Sequence, residues 1–133
     1  MDVKEKVVTE DIKKIFFEKI KRLDEPMIKN WKFNIYFEKS SKCKLPGKYI
    51  YSDRKGYHED DIGERGGILS KKKYSSIGEL MNSLIEYVSW ECAYDFVEKN
   101  RFSGINTKEM FKNKQLELLK IFNEEYYDIK KGN

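Results

Sequence analysis

The chain has 133 residues, a length that suits one domain around one core and is short for two. A hydrophobic fraction of 39% and an aromatic fraction of 14% can fill an interior, while 27 basic and 23 acidic residues mix their signs, unlike the one-sided charge of a disordered tail. A net charge of +4 attracts acidic partners weakly and falls short of a dedicated nucleic-acid binder.

A first helix is predicted to start near Thr9, whose hydroxyl can cap exposed amides, with Glu10 and Asp11 suiting the positive end of the helix dipole. Ile12, Ile15, Phe16, Ile20 and Leu23 then recur at helical spacing, and Pro26 stops the helix or lies just past its end. From Asn30 the period changes to two. Trp31, Phe33, Ile35 and Phe37 alternate with Lys32, Asn34 and Tyr36, as in a half-buried strand. Ser40 to Gly47 is polar, carries Pro46-Gly47 and reads as a loop.

Tyr49-Ile50-Tyr51, a turn at Asp53-Arg54-Lys55-Gly56 and then Tyr57-His58 read as a hairpin, with Gly56 supplying a positive φ. Gly63 and Gly66-Gly67 bracket Glu64-Arg65. Ile68-Leu69 resumes an extended pattern that ends in Lys71-Lys72-Lys73. Ser76 and Glu79 have capping-box spacing, and the helix behind them carries Ile77, Leu80, Met81, Leu84, Ile85, Val88, Cys92, Phe96 and Val97 on one stripe. Tyr87, Trp90 and Tyr94 widen that stripe. Running to about Arg101, the helix would be ~36 Å long, and Ser103-Gly104 breaks it.

Asn106, with Glu109 three residues on, starts a last helix with the stripe Phe111, Gln115, Leu118, Leu119, Phe122 and Tyr126. The order predicts an α+β fold. A small antiparallel sheet of about three to four strands would be covered by an N-terminal helix and a C-terminal antiparallel helix hairpin, all in one domain over residues 1–133. Met1 to Lys6 has no apolar run behind it and no stretch reaches the ~20 apolar residues of a membrane span, so a cytoplasmic protein is expected. Cys43 and Cys92 make no disulfide framework, and Cys92 on the apolar stripe is expected as a buried thiol.

The residue types that could carry chemistry are few. His58 is the one histidine, and with Glu59, Asp60, Asp61 and Glu64 it reads better as a solvated acidic turn than as a metal site, which draws on several His or Cys ligands. Glu64-Arg65-Gly66-Gly67 fits neither a phosphate loop nor a dinucleotide fingerprint. There Arg65 can bond carbonyls or a carboxylate while the glycines bend the chain. Cys43 lies among lysines but has no relay with His58. Lys39, Lys42, Lys44, Lys48 and Lys71-Lys72-Lys73 could form a nucleic-acid patch, or the triplet could guard a strand edge. Any Trp or Tyr left exposed on the long helix would anchor a protein interface.

Tyr49-Ile50 before Asp53, then Gly56-Tyr57-His58 and Glu64-Arg65-Gly66, resembles the central signature of the immunity protein 63 family of bacterial polymorphic toxin systems. Phe111 to Leu119, followed by Asn123-Glu124-Glu125-Tyr126, is similar to that family's closing helix, so the likeness spans roughly residues 45–128. The resemblance implies a small non-enzymatic protein encoded beside a toxin, and neither cofactor nor metal is expected. It would bind the toxin's C-terminal domain non-covalently and block it, and a monomer is expected.

Tyr49, Asp53, Gly56, Tyr57, Glu64, Arg65 and Gly66 match the signature and are expected to hold the fold. Immunity proteins against nucleases are often acidic, whereas this chain is mildly basic. Either the toxin is no basic nuclease, or binding uses a local acidic surface or lies away from the toxin's active site. Tyr57, His58, Glu59, Asp60, Asp61 and Glu64 are the toxin-facing candidates. Two other classes remain open: a nucleic-acid-binding or regulatory domain using the lysine-rich loops, and a hydrolase using His58 and Glu64.

Overall fold

A computed structural model describes residues 8–40, 45–102, 104 and 106–122. The elements run α1 (Thr9–Ile20), α2 (Pro26–Lys29), β1 (Ile35–Tyr36), β2 (Gly47–Asp53), β3 (Gly56–Ile62), β4 (Ile68–Tyr74), α3 (Ile77–Lys99) and α4 (Thr107–Phe122). This is the expected α+β class. The described residues fall into two compact units, one drawn from those up to Glu18 and those between Lys32 and Asn82, the other from Lys19–Trp31 and those from Ser83 onward.

The first unit holds a four-stranded sheet in the order β1-β2-β3-β4. β2, β3 and β4 form the predicted antiparallel meander, but β1 pairs parallel to β2, so the sheet is mixed. A ten-residue connection from Phe37 to Pro46 gives the chain room to return to the same end of the sheet, which parallel pairing requires. Only two of the seven residues expected in the aromatic strand join the ladder. The alternation itself is real, since Phe33 and Ile35 are buried and Lys32 and Asn34 exposed. Trp31, at φ 26°, sits in the left-handed region instead of extending the strand.

Gly56 closes the β2–β3 hairpin at φ +146°, where a Cβ would meet the Tyr74 carbonyl at 2.9 Å. Gly47 has the same φ and lies tighter still, a Cβ there falling 2.5 Å from the Asn34 carbonyl oxygen. That close approach lets the Lys48 amide donate to Asn34 O at 2.9 Å and dock β1. α1 buries Ile12, Phe16 and Ile20 at the predicted spacing. Thr9 does not cap it, because its hydroxyl accepts the Ser52 amide of β2 at 3.1 Å. Phe16 and Phe17 both pack against the ring of Phe37.

α3 opens on the predicted capping box, the Glu79 amide donating to Ser76 Oγ at 3.1 Å, while the Glu79 carboxylate reaches Ser75 instead of Ser76. Leu80, Met81, Leu84, Ile85, Val88 and Cys92 are buried along it. In the second unit, Asn106 caps α4 through the Glu109 amide at 3.1 Å, and Met110, Leu118 and Leu119 are buried. Pro26 opens α2 instead of ending α1, in the first-turn position where a missing N–H costs nothing. Cys43, Ser103, the Phe122 side chain and Asn123 to Tyr126 lie outside the described residues.

Candidate functional site

The stretch from His58 to Asp61 is not a solvated turn. It forms the middle of β3, a central strand, and Glu59 and Asp60 are buried. A buried carboxylate needs partners, and neighbouring strands supply them by register. Lys48 stands opposite Asp61 and diagonal to Glu59, and its ammonium bonds Glu59 and, at 3.0 Å, Asp61. On β4, the Tyr74 hydroxyl donates to Glu59 at 2.9 Å and Ser70 donates to Asp61 at 2.9 Å. Burial alone would weaken the positive charge of Lys48. The bonds and charges of Glu59 and Asp61 outweigh it, holding the ammonium above the usual lysine range.

Alternation places the next residues on the opposite face of the sheet. There Asp60 accepts the Tyr51 hydroxyl at 2.9 Å and Ser40 at 3.0 Å through one oxygen, while its buried Oδ1 has no partner among the described residues. Tyr51 stacks on the His58 ring with centroids 4.7 Å apart. Burial, then Asp60, pushes the Tyr51 phenol up to about 12, so it stays a donor. His58 Nε2 lies 2.7 Å from Asp53 Oδ1, and that bond, helped by the Lys55 and Gly56 amides, holds Asp53 down to about 2.

The segment is thus bound into the sheet by side-chain contacts on both faces. Tyr57, Glu59 and Asp60 are closed to solvent in the free chain, and His58 faces Asp53. Tyr49 is buried and donates its hydroxyl to the Leu45 carbonyl at 2.8 Å. Asp61 keeps part of its surface, and Glu64 is exposed in the turn beyond β3. Arg65 was expected to tie that turn through side-chain bonds, yet it is exposed and makes none among the described residues. Backbone bonds hold the turn, from the Gly63 amide to Gly67 O and from the Gly66 amide to Gly63 O, with Gly66 at φ 81°.

A second cluster, in the other unit, comes from residues that the helical spacing placed on the apolar stripe. Trp90 and Tyr94, one turn apart on α3, stack with centroids 5.6 Å apart and planes 3° from parallel, yet remain 45% and 49% exposed. Phe111 on α4 meets Trp90 edge-on at 5.4 Å. Beside them Lys114 lies 4.8 Å over the exposed Phe96 ring and pairs with Glu25 at 3.0 Å and Glu117 at 3.3 Å. Periodicity alone could not show that the outer part of a broad stripe is left uncovered. The signal was its width, more than a single helix face can bury.

Among the described residues no three His, Cys, Asp or Glu side chains converge as metal ligands, and no helix is long and apolar enough to cross a membrane. Cys92 is buried, which pushes its thiol up to about 12 and leaves it protonated and unreactive. A family model described as Immunity protein 63 matches residues 62–132, just over half of the chain. The match begins at the last residue of β3, so it takes in Glu64, Arg65, Gly66, β4, α3 and α4, and leaves out Tyr49 to Asp61. No curated protein and no solved structure matches the chain.

Proposed function

The chain belongs to the immunity protein 63 family, and from that premise we propose that it protects a bacterial cytoplasm by binding the C-terminal domain of a cognate toxin. The complex is non-covalent and the protein acts as a stoichiometric inhibitor, with no catalytic step, cofactor or metal. The family match over residues 62–132 is the observation that carries this reading. Trp90 and Tyr94 support it: both lie inside the matched segment and expose rigid aromatic surface of the kind that anchors protein interfaces. A stable complex buries ~800 Å² on each partner, within reach of a chain of this size.

In this reading the buried polar network of β2, β3 and β4 keeps the sheet in register. Contacts from the Tyr57 to Glu64 segment come from Glu64 and the open part of Asp61. The two compact units work as one domain, with α3 contributing to both and running unbroken between them. Co-expression with the toxin domain encoded beside it tests the proposal. Survival of the cells and co-purification of a complex are expected, and toxicity with no complex would sink it.

A further inference from the structure

We infer that the open edge of β4 receives an extended, acidic segment of the toxin domain as an added strand; the inference rests on the toxin-binding reading above. β4 is the terminal strand of the sheet, seven residues long, so one side of its backbone meets no other strand of the sheet. Such a row of amides and carbonyls is a template for strand addition. Five of the seven side chains are exposed. The register with β3 skips one residue at the start: Ile68 opposes Ile62 and Ser70 opposes Asp61, which leaves Leu69 as a bulge, 74% exposed over Gly63. From Ser70 to Tyr74 the ladder is regular.

The occupant follows from charge. Lys71, Lys72 and Lys73 make no ion pair among the described residues, whereas Lys48 one strand away from β3 is fully engaged. Arg54 and Lys55, in the hairpin turn next to Gly56, are exposed as well, and Gly56 lies against the Lys73 stem. Alternation puts Lys71 and Lys73 on one face of the strand and Lys72 on the other, so an added strand meets a cation whichever way its side chains point. A second copy of β4 would set lysine against lysine and is disfavoured. Phosphate also suits lysines. However, the exposed Glu64 close by and the apolar Ile68 and Leu69 at the start of the strand fit a peptide better than a polyanionic backbone. The lysines therefore reject indiscriminate edge pairing and select an acidic strand.

Calorimetry of the full chain with the toxin domain encoded beside it, together with residue-level amide exchange, tests this. The variant K71E/K72E/K73E should bind at least about tenfold more weakly and lose most of the salt dependence. In the wild-type complex, alternate amides between Ser70 and Tyr74, those not already bonded to β3, should gain protection. If the reversed variant loses its fold, K71Q/K73Q gives the same readout with a smaller loss. Tight toxin binding with a variant affinity within about twofold and unchanged β4 exchange would overturn the edge site and leave the immunity reading standing. No binding by the wild-type chain would remove both. Binding of a 30-nucleotide RNA or DNA that the variant loses, with no toxin complex, would assign the edge to nucleic acid instead.

Discussion

Lys48 on β2 and Glu59 on β3 form an ion pair with only 13% and 1% of their side chains exposed. The pair is diagonal in the antiparallel ladder and shares its charges with Asp61 and Tyr74. Removing one partner from such a pair leaves a buried charge uncompensated. Lys48→Met should therefore cost about 3–5 kcal/mol, and Lys48→Met with Glu59→Leu should cost less than the single change. Urea unfolding of the two variants measures both. Because the folded state raises the pKa of Lys48, its contribution is complete below 10.5 and is lost as pH rises through the folded value. As pH rises from about 10.5 towards 12, wild type should lose more stability than Lys48→Met.

At the hairpin end of the same strands the sign is opposite. Asp53 is held down to about 2 by its bond to His58, so its contribution is present above the ordinary value of 3.8 and is lost as pH falls from there through about 2. Asp53→Asn should flatten this part of the acid branch. Urea midpoints at pH 6 and pH 2.5 should fall further for wild type than for the variant, and an equal fall would remove Asp53 from the account.

Leu84 is fully buried in the middle of α3, and Leu84→Ala should cost about 2–5 kcal/mol. A single urea transition is expected for wild type and variant alike, since α3 belongs to both compact units. A change below about 1 kcal/mol, or two separate transitions, would contradict that role.

α3 was legible because one stripe recurs every three or four residues over six turns, and the Ser76–Glu79 cap marks its start. The meander was legible too, from Gly56 and the spacing of the glycines. β3 was not. His58-Glu59-Asp60-Asp61 looks solvated in sequence, and the groups that satisfy it, among them Lys48, Tyr51, Ser70 and Tyr74, lie 9 to 15 residues away, on β2 and β4. No local pattern carries that information. The parallel pairing of β1 was equally hidden, since alternation reports burial and is silent on the direction of the neighbouring strand. Of the site, the spacing placed Trp90 and Tyr94 on the helix, but their exposure depends on what the tertiary structure leaves uncovered.

That exposure makes Trp90 a direct probe of the proposed interface. Trp90→Ala should weaken toxin binding by about 2 kcal/mol or more, roughly thirtyfold, with little change in the urea midpoint. Calorimetry and unfolding on one preparation separate the two effects. A large loss of stability with unaltered affinity would make the aromatic stack part of the fold alone.

The proposed neutralisation of a toxin by holding it can be tested in cells. The most direct measurement is growth of cells expressing the toxin domain encoded beside it, with and without the chain, followed by purification on a tag carried by the chain. Restored growth and a stoichiometric complex that survives chromatography are expected. Continued killing, with the chain folded and recovered alone, would contradict the proposal.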